Sequence, residues 1–381
     1  MIDVRKEYAY FDYAATTFMP PEVMESWLEY NQKIGISSGR GKNAINVMAD
    51  EIAVQARKDI HHFFSEDKRY QLIIYRSLTN AINEIAYSLE HYIEPMDIIL
   101  LGPYEHHSNL LPWRELAKRK GAITFEMPVL PDGTIDCNSL LALKDRIKVI
   151  SFSSVANTNG FRINISDIKG ILSKDTLVIV DDSQKCAHEQ IENAKEIDIH
   201  LVNPHKMYGP KNLAGALVSE KVVDIMRPSI YGGGMVERVG FPNTWKEGVA
   251  AFEGGTQDVA GIYAWRAACN YISKIGFKQI HENESKIYER IEKELKDVGK
   301  VKILSVPKTT SLLSFQHEQI HAHDIEDLFS EKKVLIRAGH ICSQNSIAKY
   351  GYKPIVRISF GIGIQENDVE RLVDVIRGTL G

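Results

Sequence analysis

The chain has 381 residues, of which 44% are hydrophobic and 25% charged, and its formal net charge at pH 7 is −4. This composition is typical of a globular protein large enough for one large and one smaller domain. It provides no basic field for nucleic acid or an anionic membrane surface, and no apolar stretch is long enough to span a bilayer.

The cysteines and the first residues indicate which kinds of protein and cellular compartment fit this sequence. Cys137, Cys186, Cys269 and Cys342 are widely and irregularly spaced, without a CxxC pair, which argues against a disulfide scaffold and a cysteine-based zinc site. The stretch 1–7 is charged and lacks an apolar core. We therefore expect a cytoplasmic protein that contacts neither nucleic acid nor a membrane.

The first ordered stretch is FDYAATT at 11–17, followed by a good helix start at 20–22. The glycine-rich stretch 37–41 has no strand before it and no helix of the dinucleotide-binding type after it, so it is a poor phosphate loop.

From residue 71 onwards, strands alternate with helices, which predicts a mostly parallel sheet covered on both faces. A helix is expected at 81–90, and Thr79 just before it is a candidate hydroxyl donor to a phosphate, although a plain helix cap explains it equally well. Apolar runs predict strands at 71–76, 98–101, 148–153, 177–180, 197–202 and 213–218.

Polar residues follow several of these strands, at the edge where open α/β sheets bind ligands. His106 follows strand 98–101; a histidine pair in a loop is otherwise a weak metal or surface signal. Asn157 follows strand 148–153 and is equally well interpreted as a turn residue. Asp181 follows strand 177–180.

Lys206 lies just past the strand 197–202 in the stretch NPHKMYGP, where Gly209 and Pro210 stop any helix. A lysine held on such a turn can form a Schiff base with a carbonyl cofactor such as pyridoxal phosphate. A carboxylate such as Asp181 is the group that keeps the pyridine nitrogen of that cofactor protonated. The alternative for an isolated lysine after a strand is a solvated loop residue.

The last third of the chain predicts helices at 259–275 and 277–298 and strands at 334–337 and 355–359. Arg357 lies inside the last strand, and a buried arginine needs an anion, for which an amino-acid carboxylate is well suited. Cys342 lies in a loop and is a candidate nucleophile, or else a small buried residue as Cys269 is expected to be. The stretch 321–324 is a poor metal candidate and a better helix start.

Several of these stretches together resemble the class V, fold-type I pyridoxal-phosphate (PLP) enzymes, in particular the cysteine desulfurase and selenocysteine lyase family with the short catalytic-cysteine loop. The resemblance implies a fold-type I PLP-dependent transferase with a mostly parallel seven-stranded α/β sheet flanked by helices, plus a smaller α+β C-terminal domain. It places a large PLP-binding domain at 17–260 and a small domain at 261–381, joined by the N-terminal segment 1–16. The stretches that carry it are EHH (105–107), SVANTNG (154–160), VDDSQ (180–184), HKMYGP (205–210), FEGGTQ (252–257) and RAGHIC (337–342) followed by Arg357.

The resemblance also implies roles for single residues. His106 stacks on the cofactor ring and handles protons, and Thr256 reaches across a homodimer to the neighbour's cofactor phosphate. Arg40 lies in a loop at the entrance to the active site, where it contacts substrate or partner. Lys206, Asp181, Gln184, His205, Thr79, Asn157 and His106 belong to the cofactor site, and Arg357, Asn157 and Arg337 to the substrate site.

The implied reaction converts L-cysteine to L-alanine. Lys206 removes the Cα proton, His106 assists at the sulfur, and the Cys342 thiolate takes the sulfur as a persulfide and passes it to an acceptor protein. The sequence does not indicate whether the acceptor is an iron–sulfur cluster assembly scaffold, a tRNA-modifying enzyme or a biosynthetic pathway. Action on selenocysteine is part of the same expectation. Alternatives are another class V enzyme (aminotransferase, epimerase or C–S lyase) that does not use the cysteine, and a catalytically silent binding protein. No metal is expected.

Some positions depart from the family pattern. Leu78 stands where the family has a threonine, Asp182 where it has a small residue, and Ile341 where it has a second histidine; Asn203 and Pro204 replace small residues before the His-Lys pair. Asp182 is expected to add a negative charge near the cofactor ring.

Overall fold

The computed structural model describes residues 2–39, 41–306, 311–349, 351 and 353–381. The helices in these ranges are α1 (Val4–Glu7), α2 (Pro21–Lys33), α3 (Ala44–Phe64), α4 (Leu78–Ser88), α5 (His107–Lys120), α6 (Ile165–Ile168), α7 (Glu220–Ile225), α8 (Val259–Ile275), α9 (Phe277–Val298), α10 (Ala322–Glu331), α11 (Gln344–Lys349) and α12 (Glu366–Leu380). The strands are β1 (Ala9–Tyr10), β2 (Tyr70–Tyr75), β3 (Ile98–Leu101), β4 (Ile123–Glu126), β5 (Ile147–Ser153), β6 (Leu177–Asp181), β7 (Ile199–Val202), β8 (Ala214–Ser219), β9 (Val236–Arg238), β10 (Thr244–Trp245), β11 (Val301–Ile303), β12 (Leu312–His317), β13 (Val334–Leu335), β14 (Arg337–Gly339) and β15 (Ile355–Ser359).

The main sheet has seven strands in the order β2-β8-β7-β6-β5-β3-β4. Strand β8 is antiparallel to both of its neighbours, and the other pairs are parallel, so the predicted mostly parallel sheet is confirmed. Strand β4 was not predicted. It is an edge strand without a fully buried residue, so its sequence ITFE has no continuous apolar run.

Helices cover both faces of this sheet because successive residues of a strand point to opposite sides. On β2, Ile73 belongs to the core under α4 and α5, where Trp113 is fully buried. Its neighbour Leu72 belongs to the opposite core, with α3 and α8, where Trp265 is fully buried. The two helical layers therefore lie on opposite faces of the sheet.

A second, antiparallel sheet has the order β11-β12-β15-β14 and packs against α9, α10 and α12. The N-terminal segment crosses to it: β1 pairs with β13, and Asp12 bridges to Ser359. Helix α8, in contrast, buries its apolar face against the main sheet. Where the two units divide along this helix stays a prediction, and Arg40 lies outside the described residues.

Among the described residues, no helix combines the length and apolar character that crossing a membrane requires.

Candidate active site

A cavity of about 390 Å³ opens at the carboxyl ends of β3, β5, β6 and β7, where the second sheet approaches the first. Nearly all the site residues predicted from sequence line it, although they are spread over almost 280 positions. These are Thr79, His106, Asn157, Asp181, Gln184, His205, Lys206, Arg337, Cys342 and Arg357.

Lys206 ends a single 3-10 turn, Pro204–Lys206, which is separated from β7 by Asn203 alone. The Gly209 amide donates to the Pro204 carbonyl at 2.9 Å, and a Cβ on Gly209 would lie 2.9 Å from the Pro204 ring, so only glycine fits. Burial lowers the pKa of Lys206, and the nearby Asp181 carboxylate opposes this shift. The turn therefore holds an amine with an increased neutral fraction inside the cavity.

Asp181 is the last residue of β6, and its Oδ1 accepts a hydrogen bond from the Ser183 amide at 2.9 Å. Burial raises the pKa of Asp181, while hydrogen bonding from Ser183 and the charge of Lys206 lower it. The neighbouring Asp182 does not line the cavity. Its Oδ2 lies 2.7 Å from Nδ1 of the fully buried His200 on β7, and its negative charge still raises the pKa of Asp181.

The N-terminal turn closes one side of the cavity. Gln184 donates from Nε2 to the Ala14 carbonyl at 2.8 Å, and His205 Nδ1 lies 3.2 Å from the Thr16 hydroxyl. Burial and the charge of Lys206 lower the pKa of His205 to about 4, so the ring is neutral at pH 7. Asn203 Oδ1 is buried at this cavity and has no hydrogen-bond partner among the described residues.

His106 is the N-cap of α5, where its Nδ1 accepts a hydrogen bond from the Ser108 amide at 3.1 Å. Burial and the charge of Lys206 lower its pKa to about 3, so the imidazole is neutral at pH 7. Because Nδ1 accepts, the ring proton lies on Nε2.

The N-termini of α4 and α5 lie side by side at the cavity. The hydroxyl oxygens of Thr79 and Ser108 are 2.7 Å apart, and both residues line the cavity together with Ser77. Helix N-termini carry free amides and a partial positive charge, which together suit a phosphate. The predicted helix at 81–90 begins earlier, at Leu78, because Ser77 caps it by accepting from the Asn80 amide.

Arg357 and Arg337 share one carboxylate, which the sequence reasoning missed. Arg357 is 2% exposed and donates from Nη2 to Asp12 Oδ1 at 2.9 Å and from Nη1 to the Asn157 carbonyl at 2.9 Å. Arg337 donates to Asp12 Oδ2 from Nε at 3.0 Å and from Nη2 at 2.5 Å. Asp12 belongs to the N-terminal stretch FDYAATT, but nothing in the local sequence indicates that it lies between two arginines more than 300 residues away.

Cys342 is exposed at the cavity, in a loop between β14 and α11. Asn157 reaches this loop with its whole amide: Nδ2 donates to the Ile341 carbonyl at 2.8 Å, and Oδ1 accepts from the Ser343 hydroxyl at 3.0 Å. Cys269 and Cys186 are buried instead, and burial raises the pKa of both thiols. Cys342 is therefore the thiol that a cavity ligand can reach.

Glu105 is a second residue that the sequence reasoning left without a role. It is buried beneath the site and accepts hydrogen bonds from the Ser153 amide and hydroxyl and from Asn109 Nδ2, at 2.7 to 2.8 Å. Burial raises its pKa to about 7. A carboxylate directly before a histidine at a strand end was the available signal.

Thr256 is exposed in the segment before α8 and does not line the cavity of its own chain. Its expected action on a neighbouring chain stays a prediction.

Comparison with known proteins shows which family the chain belongs to. The model of the aminotransferase class-V family matches residues 9–372. A protein described as a probable cysteine desulfurase from Halalkalibacterium halodurans is 29% identical over 377 residues, covering 97% of this chain and 92% of its own length. A cysteine desulfurase from Salmonella dublin is 28% identical over 371 residues, covering 96% and 91%. The structure of an apo cysteine desulfurase from Thermococcus onnurineus superposes with a TM-score of 0.92 at 26% identity, covering 99% of this chain and 97% of the other, and it confirms the expected fold.

Proposed function

Because this chain belongs to the class V aminotransferase family, we propose that it is a PLP-dependent cysteine desulfurase. The observation that carries the proposal is that an exposed thiol, Cys342, shares one cavity with a buried lysine of lowered pKa, Lys206. The family implies the cofactor; the thiol at the cavity selects the reaction.

The residues of the cavity fit pyridoxal phosphate. Lys206 would hold its carbonyl carbon and Asp181 its ring nitrogen, with Gln184, His205 and His106 around the ring. The paired hydroxyls of Thr79 and Ser108 at two helix N-termini suit its phosphate. Asn203 Oδ1 is buried here and has no partner within the described ranges, so it is an acceptor that a bound ligand can satisfy. When bound, the cofactor supplies an electron sink for the substrate carbon.

The chain's own groups then carry the remaining steps. The neutral amine of Lys206 takes the Cα proton of L-cysteine, because burial favours its uncharged form. The neutral His106 is an N–H donor at Nε2 that assists proton transfer at the reacting sulfur. The Cys342 thiolate forms an S–S bond to the substrate sulfur, and the electron pair of the broken C–S bond stays on carbon, which is protonated to give L-alanine.

Arg337 and Arg357 are the candidate anchors for the substrate carboxylate. Both line the cavity, and Asp12 neutralises part of their charge. The Nε of Arg357 is buried and has no hydrogen-bond partner in the part of the chain that the structure describes, while the Arg337 side chain is 48% exposed. The substrate therefore meets two arginines with one carboxylate between them, which leaves a positive charge for the incoming anion.

Turnover with L-cysteine and a reductant tests the proposal, with sulfide and alanine measured together in the wild type and in Cys342→Ala. We expect equal amounts of both products from the wild type and a loss of at least 100-fold in the variant, on the order of what removing a covalent nucleophile costs. The variant should retain the absorbance of the bound cofactor. Pyruvate in place of alanine, or full activity of the variant, would instead identify a lyase or another class V enzyme.

A persulfide at an exposed cysteine is open to a second protein, so we propose a sulfur-acceptor protein as a partner. We also propose a cytoplasmic location.

A further inference from the structure

The backbone around Cys342 adopts a conformation that its residues do not favour. Ile341 and Cys342 have φ angles of +50° and +52°, so two consecutive residues other than glycine lie in the left-handed region. Each such residue costs about 1 kcal/mol or more, and for a β-branched isoleucine the cost is high. Interactions outside this turn must therefore hold it in place.

Four hydrogen bonds from the main-sheet side flank the cysteine. Asn157 contributes the two already described, to the Ile341 carbonyl and from the Ser343 hydroxyl. His107 contributes the other two: its amide donates to the Cys342 carbonyl at 2.7 Å, and its Nε2 accepts from the Gln344 amide at 3.1 Å. His107 is the first residue of α5 and directly follows His106.

The bond from Gln344 constrains the charge and the tautomer of His107. A ring nitrogen accepts a hydrogen bond only when it carries no proton, so Nε2 must be bare and the ring neutral, with its proton on Nδ1. Gln344 begins helix α11, and the imidazole therefore caps the first turn of that helix.

We propose that His107 is the positioning residue for the sulfur-accepting thiol: its neutral imidazole, opposite the Asn157 amide, fixes the turn that presents Cys342 to the cavity. This inference rests on the proposed function for its catalytic consequence, but the hydrogen bond itself can be measured without turnover.

Protonation of His107 should release the turn. Burial and the neighbouring His340 lower its pKa below the ordinary 6.5, so the capping bond is fully present above that value and lost as pH falls through the lowered pKa. Titratable groups near His107 are His106, directly before its helix, and His340 and Cys342 on the cysteine loop. His107 also lines a second cavity, together with Tyr87, Glu115 and Arg119.

The test is hydrogen exchange of the Gln344 amide in the cofactor-loaded protein without L-cysteine, for the wild type, His107→Ala and His107→Gln. Glutamine places an amide oxygen near the position of Nε2, so it can restore the acceptor without a titrating ring. We expect exchange to be roughly fivefold faster in His107→Ala, as for the loss of one hydrogen bond, and close to the wild-type rate in His107→Gln. After correction for the intrinsic rate, protection of the Gln344 amide in the wild type should decrease as the pH is lowered from 6.5 through the depressed pKa of His107. Protection in His107→Gln should not change in this way.

The catalytic readout is the fraction of chains that carry a persulfide on Cys342 after one equivalent of L-cysteine. It should fall severalfold in His107→Ala and recover in His107→Gln, whereas a merely structural role would not be rescued in this way. His340→Gln is the control for the pH dependence and should keep it, because His340 does not accept the Gln344 bond. Unchanged Gln344 exchange in His107→Ala, or the same pH dependence in His107→Gln, would overturn the inference. Altered exchange in a protein that forms no persulfide would support the positioning role and reject the desulfurase.

Discussion

Glu105 is a buried carboxyl group whose hydrogen-bond donors are all neutral, with the charge of Asp181 nearby. Asn109 cannot turn its amide over, because its Oδ1 already accepts from Trp113 Nε1 and the Ser151 hydroxyl. Gly102 leaves room for the Glu105 carboxyl group, because a Cβ on Gly102 would lie 2.1 Å from Glu105 Oε1. Glu105 thus ties the end of β3 to the end of β5 beneath the cofactor cavity.

This environment predicts a pH dependence of stability. The pKa of Glu105 is raised from 4.5 to about 7, so folding favours the protonated form; its contribution is present below the unfolded pKa and lost as pH rises through about 7. The free energy of unfolding of the wild type, relative to Glu105→Gln, should fall between pH 5 and 8 by roughly 2 to 3 kcal/mol. Denaturant titrations at each pH measure it. Parallel pH profiles for the two proteins would show that the carboxylate titrates normally.

At the scale of elements, strong local patterns predicted the structure well. Helix α9 and strand β15 have the predicted bounds, because a long amphipathic helix and a short apolar strand are both complete in their own sequence. The predicted strand 334–337 is interrupted instead. Its residues split at Ile336 into β13, which pairs with the N-terminal β1, and β14, which pairs with β15. These partners lie far away in the chain, so no local pattern could show the break.

The site residues, too, differ in how far the sequence could predict them. Residues at the ends of predicted strands, such as Asp181 and Lys206, could be placed from the strands that carry them. Partnerships between the two sheets could not be predicted. Asp12 between Arg337 and Arg357, and the Asn157 amide on the cysteine loop, depend on how the second sheet docks on the first.

The N-terminus of α4 is expected to bind the cofactor phosphate. Thr79→Val removes a hydroxyl at the expected phosphate position and keeps the side-chain shape, so cofactor affinity should fall about tenfold, as for a hydrogen bond to a charged group. Leu78→Thr, which restores the residue that the family pattern has, should leave affinity equal or tighter. Titration of the apo-protein with pyridoxal phosphate, followed by absorbance, measures both. An unchanged affinity in Thr79→Val would show that Thr79 does not contact the cofactor phosphate.

At the scale of the whole molecule, we expect a homodimer in which each chain completes the other's site. Thr256 lies outside its own cavity, and the segment 230–241 exposes apolar side chains, with Val239 79% exposed and Phe241 fully exposed. Light scattering at micromolar concentration should give twice the chain mass, and Thr256→Ala should weaken cofactor binding without changing that mass. A monomer with unaltered cofactor affinity in Thr256→Ala would contradict the shared site.

A single turnover shows whether Cys342 receives the sulfur of the substrate. The cofactor-loaded protein is mixed with one equivalent of L-cysteine without reductant, and the intact chain, its peptides and the released amino acid are measured by mass spectrometry. We predict one L-alanine per active site and the added mass of one sulfur atom on the peptide that contains Cys342, removed by a reductant. Free sulfide with no added mass on that peptide, or pyruvate in place of alanine, would show that Cys342 is not the sulfur acceptor of a desulfurase.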